Sequence, residues 1–145
     1  MKQQPYINNI LKYLLIIILI IIFSGCLSKK ISSVNLENYD ISVKNRLMEC
    51  IGYRDIEDRE SCIMHVADDY RIPELCDTIY TEYYKNWCFK RLGEKMNNRT
   101  LCEKISTKNE KNFCIAVVLS EPYYCKKIED DDIHRLCRRR ISQTK

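Results

Sequence analysis

The sequence predicts an all-α, solenoid-like array of four short, disulfide-stapled helical hairpins behind an N-terminal signal or anchor segment. Three observations predict it. Nine cysteines stand against only three glycines and three prolines in 145 residues, which leaves long stretches free for helix and too few turn residues for an all-β fold. Cys50, Cys62, Cys76, Cys88, Cys102, Cys114, Cys125 and Cys137 follow one another at separations of 12, 14, 12, 14, 12, 11 and 12. Apolar residues around them keep a helical period, with no strand alternation.

The chain opens with a weakly basic stretch from Met1 to Lys12, followed by an unbroken apolar run, Leu14 to Phe23. Ten helical residues span about 15 Å, roughly half of a hydrocarbon core. That suits the hydrophobic region of a signal peptide. The alternative is an uncleaved single-pass anchor from Ile10 to Leu27, with Lys12 snorkelling. After the run, Phe23-Ser24-Gly25-Cys26 resembles the lipobox of prokaryotic membrane lipoproteins, with two small residues before the modified cysteine and Phe23 where leucine is usual. The resemblance implies a signal peptide over 1–25, cleavage before Cys26, and a palmitate-type diacylglyceryl thioether on Cys26. It also implies lipid anchoring to the extracytoplasmic face of the cell membrane. Two or more acyl chains, at about 0.8 kcal/mol per buried methylene, make such an anchor stable. Residues 26–41 then read as the lipidated cysteine and a flexible tether, carrying Ser28, Lys29, Lys30, Ser32, Ser33, Asn35 and Asn38. The repeat domain follows over 42–145.

Within that domain the step of 12 recurs while the steps between drift, so the constraint belongs inside the fixed pair. Four units result, Cys50/Cys62, Cys76/Cys88, Cys102/Cys114 and Cys125/Cys137, at periods of 26, 26 and 23. Eight cysteines allow about 105 pairings. The rival scheme joins Cys62 to Cys76 and Cys88 to Cys102, and must then accommodate Cys114 and Cys125 at a different spacing. Other positions keep phase: Tyr53, Ile79, Ile105 and Ile128 three after the first cysteine, Ser61, Trp87, Phe113 and Leu136 one before the second, Val66, Leu92, Val118 and Ile141 four after it. A period of this size means stacked supersecondary units. The array resembles cysteine-paired helical repeats of exported methanogen proteins of unknown function, over residues 46–142, and that resemblance implies no activity.

Each unit reads as a short helix, a turn and a longer helix. Pro73 and Pro122, three before a first cysteine, suit a first helical turn. Thr100 and Glu103 fit a capping box. Buried faces are expected at Cys62, Ile63, Val66, Ala67 and Tyr70, then Cys88, Phe89, Leu92 and Met96, then Cys114, Ile115, Val118 and Leu119. A closed loop of this length stabilises by about 3 kcal/mol in the chain-entropy model. Four would supply about 10 kcal/mol, comparable with a domain's net stability of about 5–15 kcal/mol. A thin core of short helices needs that reinforcement.

Chemistry is sparse. No two cysteines are closer than eleven residues, so neither a zinc-type C-x2-C pair nor a redox motif exists, and neither metal nor cofactor is expected. His65 precedes Asp68 and Asp69; His134 follows Asp130, Asp131 and Asp132. Both groups read as solvated or helix-end charges in preference to a site. Asp130–Asp132 would open the last helix and Arg138–Arg140 close it, each complementing its dipole; the arginines could also meet anionic headgroups. Tyr80, Tyr83, Tyr84 and Trp87 fall at i, i+3, i+4 and i+7. Exposed, they form a candidate recognition stripe; the phase match of Trp87 with Phe113 and Leu136 favours packing. Asn98-Arg99-Thr100 is a candidate glycosylation acceptor. No catalytic residues stand out.

The formal charge is +4. Without Lys2 and Lys12 it becomes 22 basic against 20 acidic residues, or +2, too even to imply nucleic acid. The expected partners are the membrane, through the lipid anchor, and an envelope protein or glycan. The expected function is a non-enzymatic binding or structural module. The alternative is a cell-envelope enzyme or enzyme inhibitor with a site near His65 or His134.

Overall fold

A computed structural model describes residues 36–143. All of its regular structure is helical: a turn of 3₁₀ helix (Leu36–Asn38), α1 (Ile41–Gly52), α2 (Ile56–Tyr70), a 3₁₀ helix (Pro73–Thr78), α3 (Glu82–Lys95), α4 (Arg99–Glu103), α5 (Lys108–Leu119), α6 (Pro122–Cys125) and α7 (Asp131–Ser142). The 3₁₀ turn and the first residue of α1 fall inside the stretch read as tether. Asp40 caps α1 by accepting from Ser42 N, and Tyr39 packs against the core. Cys26 and residues 27–35 lie outside the described residues.

Four disulfides join Cys50–Cys62, Cys76–Cys88, Cys102–Cys114 and Cys125–Cys137, with Cα–Cα separations of 5.4, 5.6, 5.5 and 5.7 Å. These fall within the 4.4–6.8 Å that a disulfide spans. Each one ties the first helix of a hairpin to the second, as the constant spacing implies, and the rival scheme is excluded. The first helix is short in units two to four. In unit one it is not: α1 runs twelve residues. Pro73 and Pro122 open their helices, although the Pro73 helix is 3₁₀.

The array grows by nearest-neighbour packing. Helix α1 lies on α2, α2 on α3, α3 on α5 and α5 on α7, and the short helix of each later unit touches the long helices on either side. This is the one-dimensional organisation of a solenoid. The core follows the repeat phase. Ile79, Ile105 and Ile128 are buried behind their cysteines, as are Val66, Leu92 and Ile141, with Val118 half-buried. Tyr53, the counterpart in the first unit, is exposed; among the described residues no earlier hairpin covers it. The expected faces hold in mid-helix and fail at helix ends: Tyr70, Met96 and Leu119 are exposed.

Three long helices end alike. Arg71, Asn97 and Ser120 adopt left-handed φ of 56°, 50° and 53°. The following amides reach back five residues, Ile72 N to Ala67 O, Asn98 N to Gly93 O and Glu121 N to Ala116 O, at 2.9, 2.8 and 3.0 Å. This Schellman closure reverses the chain within about two residues and delivers it to the next short helix. Gly93 has a second role. A Cβ there would stand 2.9 Å from Cys102 Sγ and 3.1 Å from Cys114 Sγ, so the absent side chain lets α3 lie directly on the third staple.

Candidate recognition surface

The aromatic stripe is divided by the helix start. Helix α3 begins at Glu82, so Tyr80 sits in the preceding loop and only Tyr83, Tyr84 and Trp87 are helical. Tyr84 and Trp87 are half-buried against the core. Arg91 stacks over the Trp87 ring at 4.9 Å, and the same guanidinium grips Asp68 of α2 at 2.6 Å. The packing reading therefore holds for this half; of the residues in phase with Trp87, Phe113 is buried too, whereas Leu136 in the last unit is exposed. Tyr80 and Tyr83 are 52% and 63% exposed, with Tyr83 edge-on to Tyr84 at 5.2 Å. Burial raises the Tyr84 hydroxyl above its ordinary range, and the negative charges of Glu57, Asp58 and Asp55 add to it. What remains open is a small tyrosine surface beside the acidic first turn of α2.

That surface is held by a contact the sequence did not announce. Glu60, buried in mid-α2, accepts from Tyr80 N at 2.8 Å and from Thr81 N at 3.0 Å. Thr81 makes no side-chain cap of its own, so a carboxylate from the previous hairpin satisfies the amides at the mouth of α3. Asn86 does the same one unit later, accepting from Ser106 N at 3.0 Å and donating to Ser106 Oγ. In the third unit Asn109 accepts from Glu129 N at 3.0 Å, and Asn112 donates to Lys127 O. A usable signal existed: Glu60, Asn86 and Asn112 each stand two before a second cysteine, polar residues among apolar neighbours. Asp68 is not the solvated charge that its sequence context suggests but a buried structural residue. Its buried carboxylate binds Arg91 and Lys95, and Lys95 Nζ also donates to its carbonyl at 2.8 Å. Burial pushes this carboxyl up, but the hydrogen bonds and charges of Arg91 and Lys95 outweigh it and hold Asp68 below the usual carboxylate range.

His65 lines an open cleft of about 540 Å³ with Arg46, Tyr53, Asp58, Ser61, Cys62 and Asp69. A histidine and two carboxylates are thus gathered, but all three belong to α2, and Asp69 faces Arg46 at 3.9 Å. His134 is half-buried in the first turn of α7, its amide bonded to Asp130 O. The Asp130–Arg140 stretch matches the dipole reading: Asp130 caps α7 through Ile133 N, acids fill the first turn and Arg139 and Arg140 the last. Among the described residues no three His, Cys, Asp or Glu side chains form a group that could hold a metal ion.

Asn98, not Thr100, is the cap of α4. Its Oδ1 accepts from Thr100 N at 3.0 Å and from Thr100 Oγ1 at 2.7 Å, while Glu103 pairs with Arg99. The capping box fails because the helix starts two residues earlier, and Asn98 takes the cap position. Among the described residues, Glu94 Oε1 is buried without a hydrogen bond. Burial raises Glu94, against the lowering pull of Lys90, Arg140 and Arg91.

No family model matches the chain, and no curated protein or solved structure matches it.

Proposed function

We propose that the chain is a lipoprotein held at the extracytoplasmic face of the cell membrane through Cys26, whose stapled array acts as a non-enzymatic binding or structural module. The partition of sulfurs carries this reading. Four disulfides consume eight of the nine cysteines, and the ninth is the residue of the lipobox-like motif. Disulfides at this density persist mainly in oxidising compartments, which agrees with export by the apolar leader. Among the described residues no helix is long and apolar enough to cross a membrane. Exposed Tyr80 and Tyr83 support binding of an envelope protein or glycan, since such rings offer large contact area at low entropic cost.

Intact-mass analysis of membrane-extracted protein tests this. The expected mass is that of residues 26–145 plus acyl chains, gaining eight hydrogens on reduction of the four disulfides. A mature mass without lipid, or alkylation of any repeat cysteine before reduction, refutes it. A second reading, an envelope enzyme or inhibitor, draws on the cleft around His65. It ranks second because its histidine and carboxylates share one helix and one carboxylate faces an arginine.

A further inference from the structure

Helix α1 is apolar on two sides. Val43, Leu47 and Cys50, at i, i+4 and i+7, face inward and are buried. Ile41 and Met48, seven apart on the opposite side, are 68% and 61% exposed, and Ile51 extends the stripe. The stripe runs on into the hairpin tip, where Tyr53 and Ile56 are exposed too. The first element of a stacked array should close it with a polar outer face. The other end is largely polar: α7 exposes Asp131, Asp132, Arg135, Arg138 and Arg139, with Leu136 as its one exposed large apolar residue. At the beginning of the array the apolar stripe runs beside exposed Asn45 and Glu49, so this outer face is amphipathic where the last one is charged.

We propose that the outward face of α1 rests on the surface of the lipid bilayer, so that the array stands on its first hairpin. This rests on the Cys26 anchor proposed above. Ile41 follows Cys26 by 15 residues, so it lies within about 50 Å of the anchor. The face is therefore delivered to the membrane at high effective concentration, and weak intrinsic affinity suffices. Lys44 lies between Ile41 and Met48 on the outward side, and its ammonium donates to Glu37 O near the start of the helix; its stem suits a position at the headgroup boundary. Lys29 and Lys30 in the intervening segment add attraction for anionic lipid. A second copy is a poorer occupant. A stable dimer buries about 800 Å² from about 20–30 residues of each partner, and the stripe has five. With α1 on the membrane, Tyr80 and Tyr83 stand one unit above it and α7 farthest away.

The methionines supply the readout. Met48 is 61% exposed, Met96 38% and Met64 5%, so in an uncovered domain peroxide should oxidise them in that order. The full acylated protein is placed at low density in phosphatidylcholine vesicles containing some phosphatidylglycerol, and sulfoxide is followed by peptide mass spectrometry. Expected is a Met48 rate falling at least about threefold relative to Met96, with Met64 unreactive. A double variant, Ile41→Glu with Ile51→Glu, should restore Met48 oxidation while still sedimenting with the vesicles. Met48 reacting faster than Met96 on vesicles overturns the docking. So does protection that grows with protein density, which means a second copy, or protection in the absence of vesicles, which means another part of the chain. A protein that carries no lipid and fails to sediment instead overturns the anchor, and the docking with it.

Discussion

Replacing Gly93 by alanine should destabilise the array, although alanine is the better helix former. Gly93 lies inside α3, where the exchange would ordinarily add about 1 kcal/mol. Its new Cβ, however, would stand 2.9 Å from Cys102 Sγ and 3.1 Å from Cys114 Sγ. Both sulfurs belong to fully buried cysteines tied to α4 and α5, so neither can swing aside as a flexible side chain would. The backbone of α3 or the staple has to move by several tenths of an ångström. Overpacking of this kind costs about 1–3 kcal/mol, and the rigid neighbours place it at the upper end. The net loss is about 2 kcal/mol, which lowers the midpoint by about 8–16 °C for a domain near 100 residues. Thermal unfolding of the oxidised protein by circular dichroism measures it, with Gly52→Ala as the control. Nothing lies within 4 Å of that Cβ, so the same exchange at the end of α1 should be neutral or stabilising. A Gly93→Ala midpoint at or above that of the parent would refute the close-approach argument.

Other consequences follow from the buried polar groups and from the staples. Glu60→Ala strands the amides of Tyr80 and Thr81 and should cost about 2–4 kcal/mol in urea unfolding, whereas Glu60→Gln retains an acceptor and should lose less than half of that; equal losses would count against a capping role. Asp68 and Glu94 should respond to pH with opposite sign. The lowered Asp68 adds stability that is complete above its ordinary value of 3.8 and fades as pH falls through its folded value, so Asp68→Asn should be weaker than the parent at neutral pH and equal to it in strong acid. The raised Glu94 favours its proton in the folded state, so its penalty appears as pH rises above 4.5; Glu94→Gln should be more stable than the parent at neutral pH and equal to it in acid, and urea midpoints across pH read both. Under limiting reductant Cys50–Cys62 should open first, because Cys62 borders the open cleft while the cysteines of the other three pairs are buried; alkylation mapping that finds another pair reduced earlier would disprove it.

The all-helical array and its four staples were readable because a covalent constraint writes itself as a spacing. A disulfide across a hairpin admits one loop length, and the repeat preserved it even where the linker between units shortened. Contacts that are not covalent left fainter marks. Tyr80, Tyr83, Tyr84 and Trp87 have helical spacing, but the helix begins after Tyr80 because Thr81 takes the cap position and Glu60 satisfies the amides there. Periodicity cannot register a cap supplied from another hairpin. Thr100 and Glu103 match a capping box that Asn98 pre-empts, since two plausible caps, two residues apart, are separated only by how the preceding turn closes.

The inter-unit bonds nonetheless obey a rule that the repeat periods explain. Glu60 meets Tyr80, Asn86 meets Ser106 and Asn109 meets Glu129, each across twenty residues. In the first two the acceptor stands two before the second cysteine of its unit; in the third it stands five before. The shift of three equals the contraction of the last period from 26 to 23. Three residues are close to one helical turn, so Asn109 presents its amide from the same face of α5 that Asn112 occupies. A deletion of one or two residues would have rotated the acceptor away from the loop it must satisfy. The shortened linker before Cys125 is therefore tolerated because it removes about one turn, which keeps the hydrogen bond that positions each hairpin on the next.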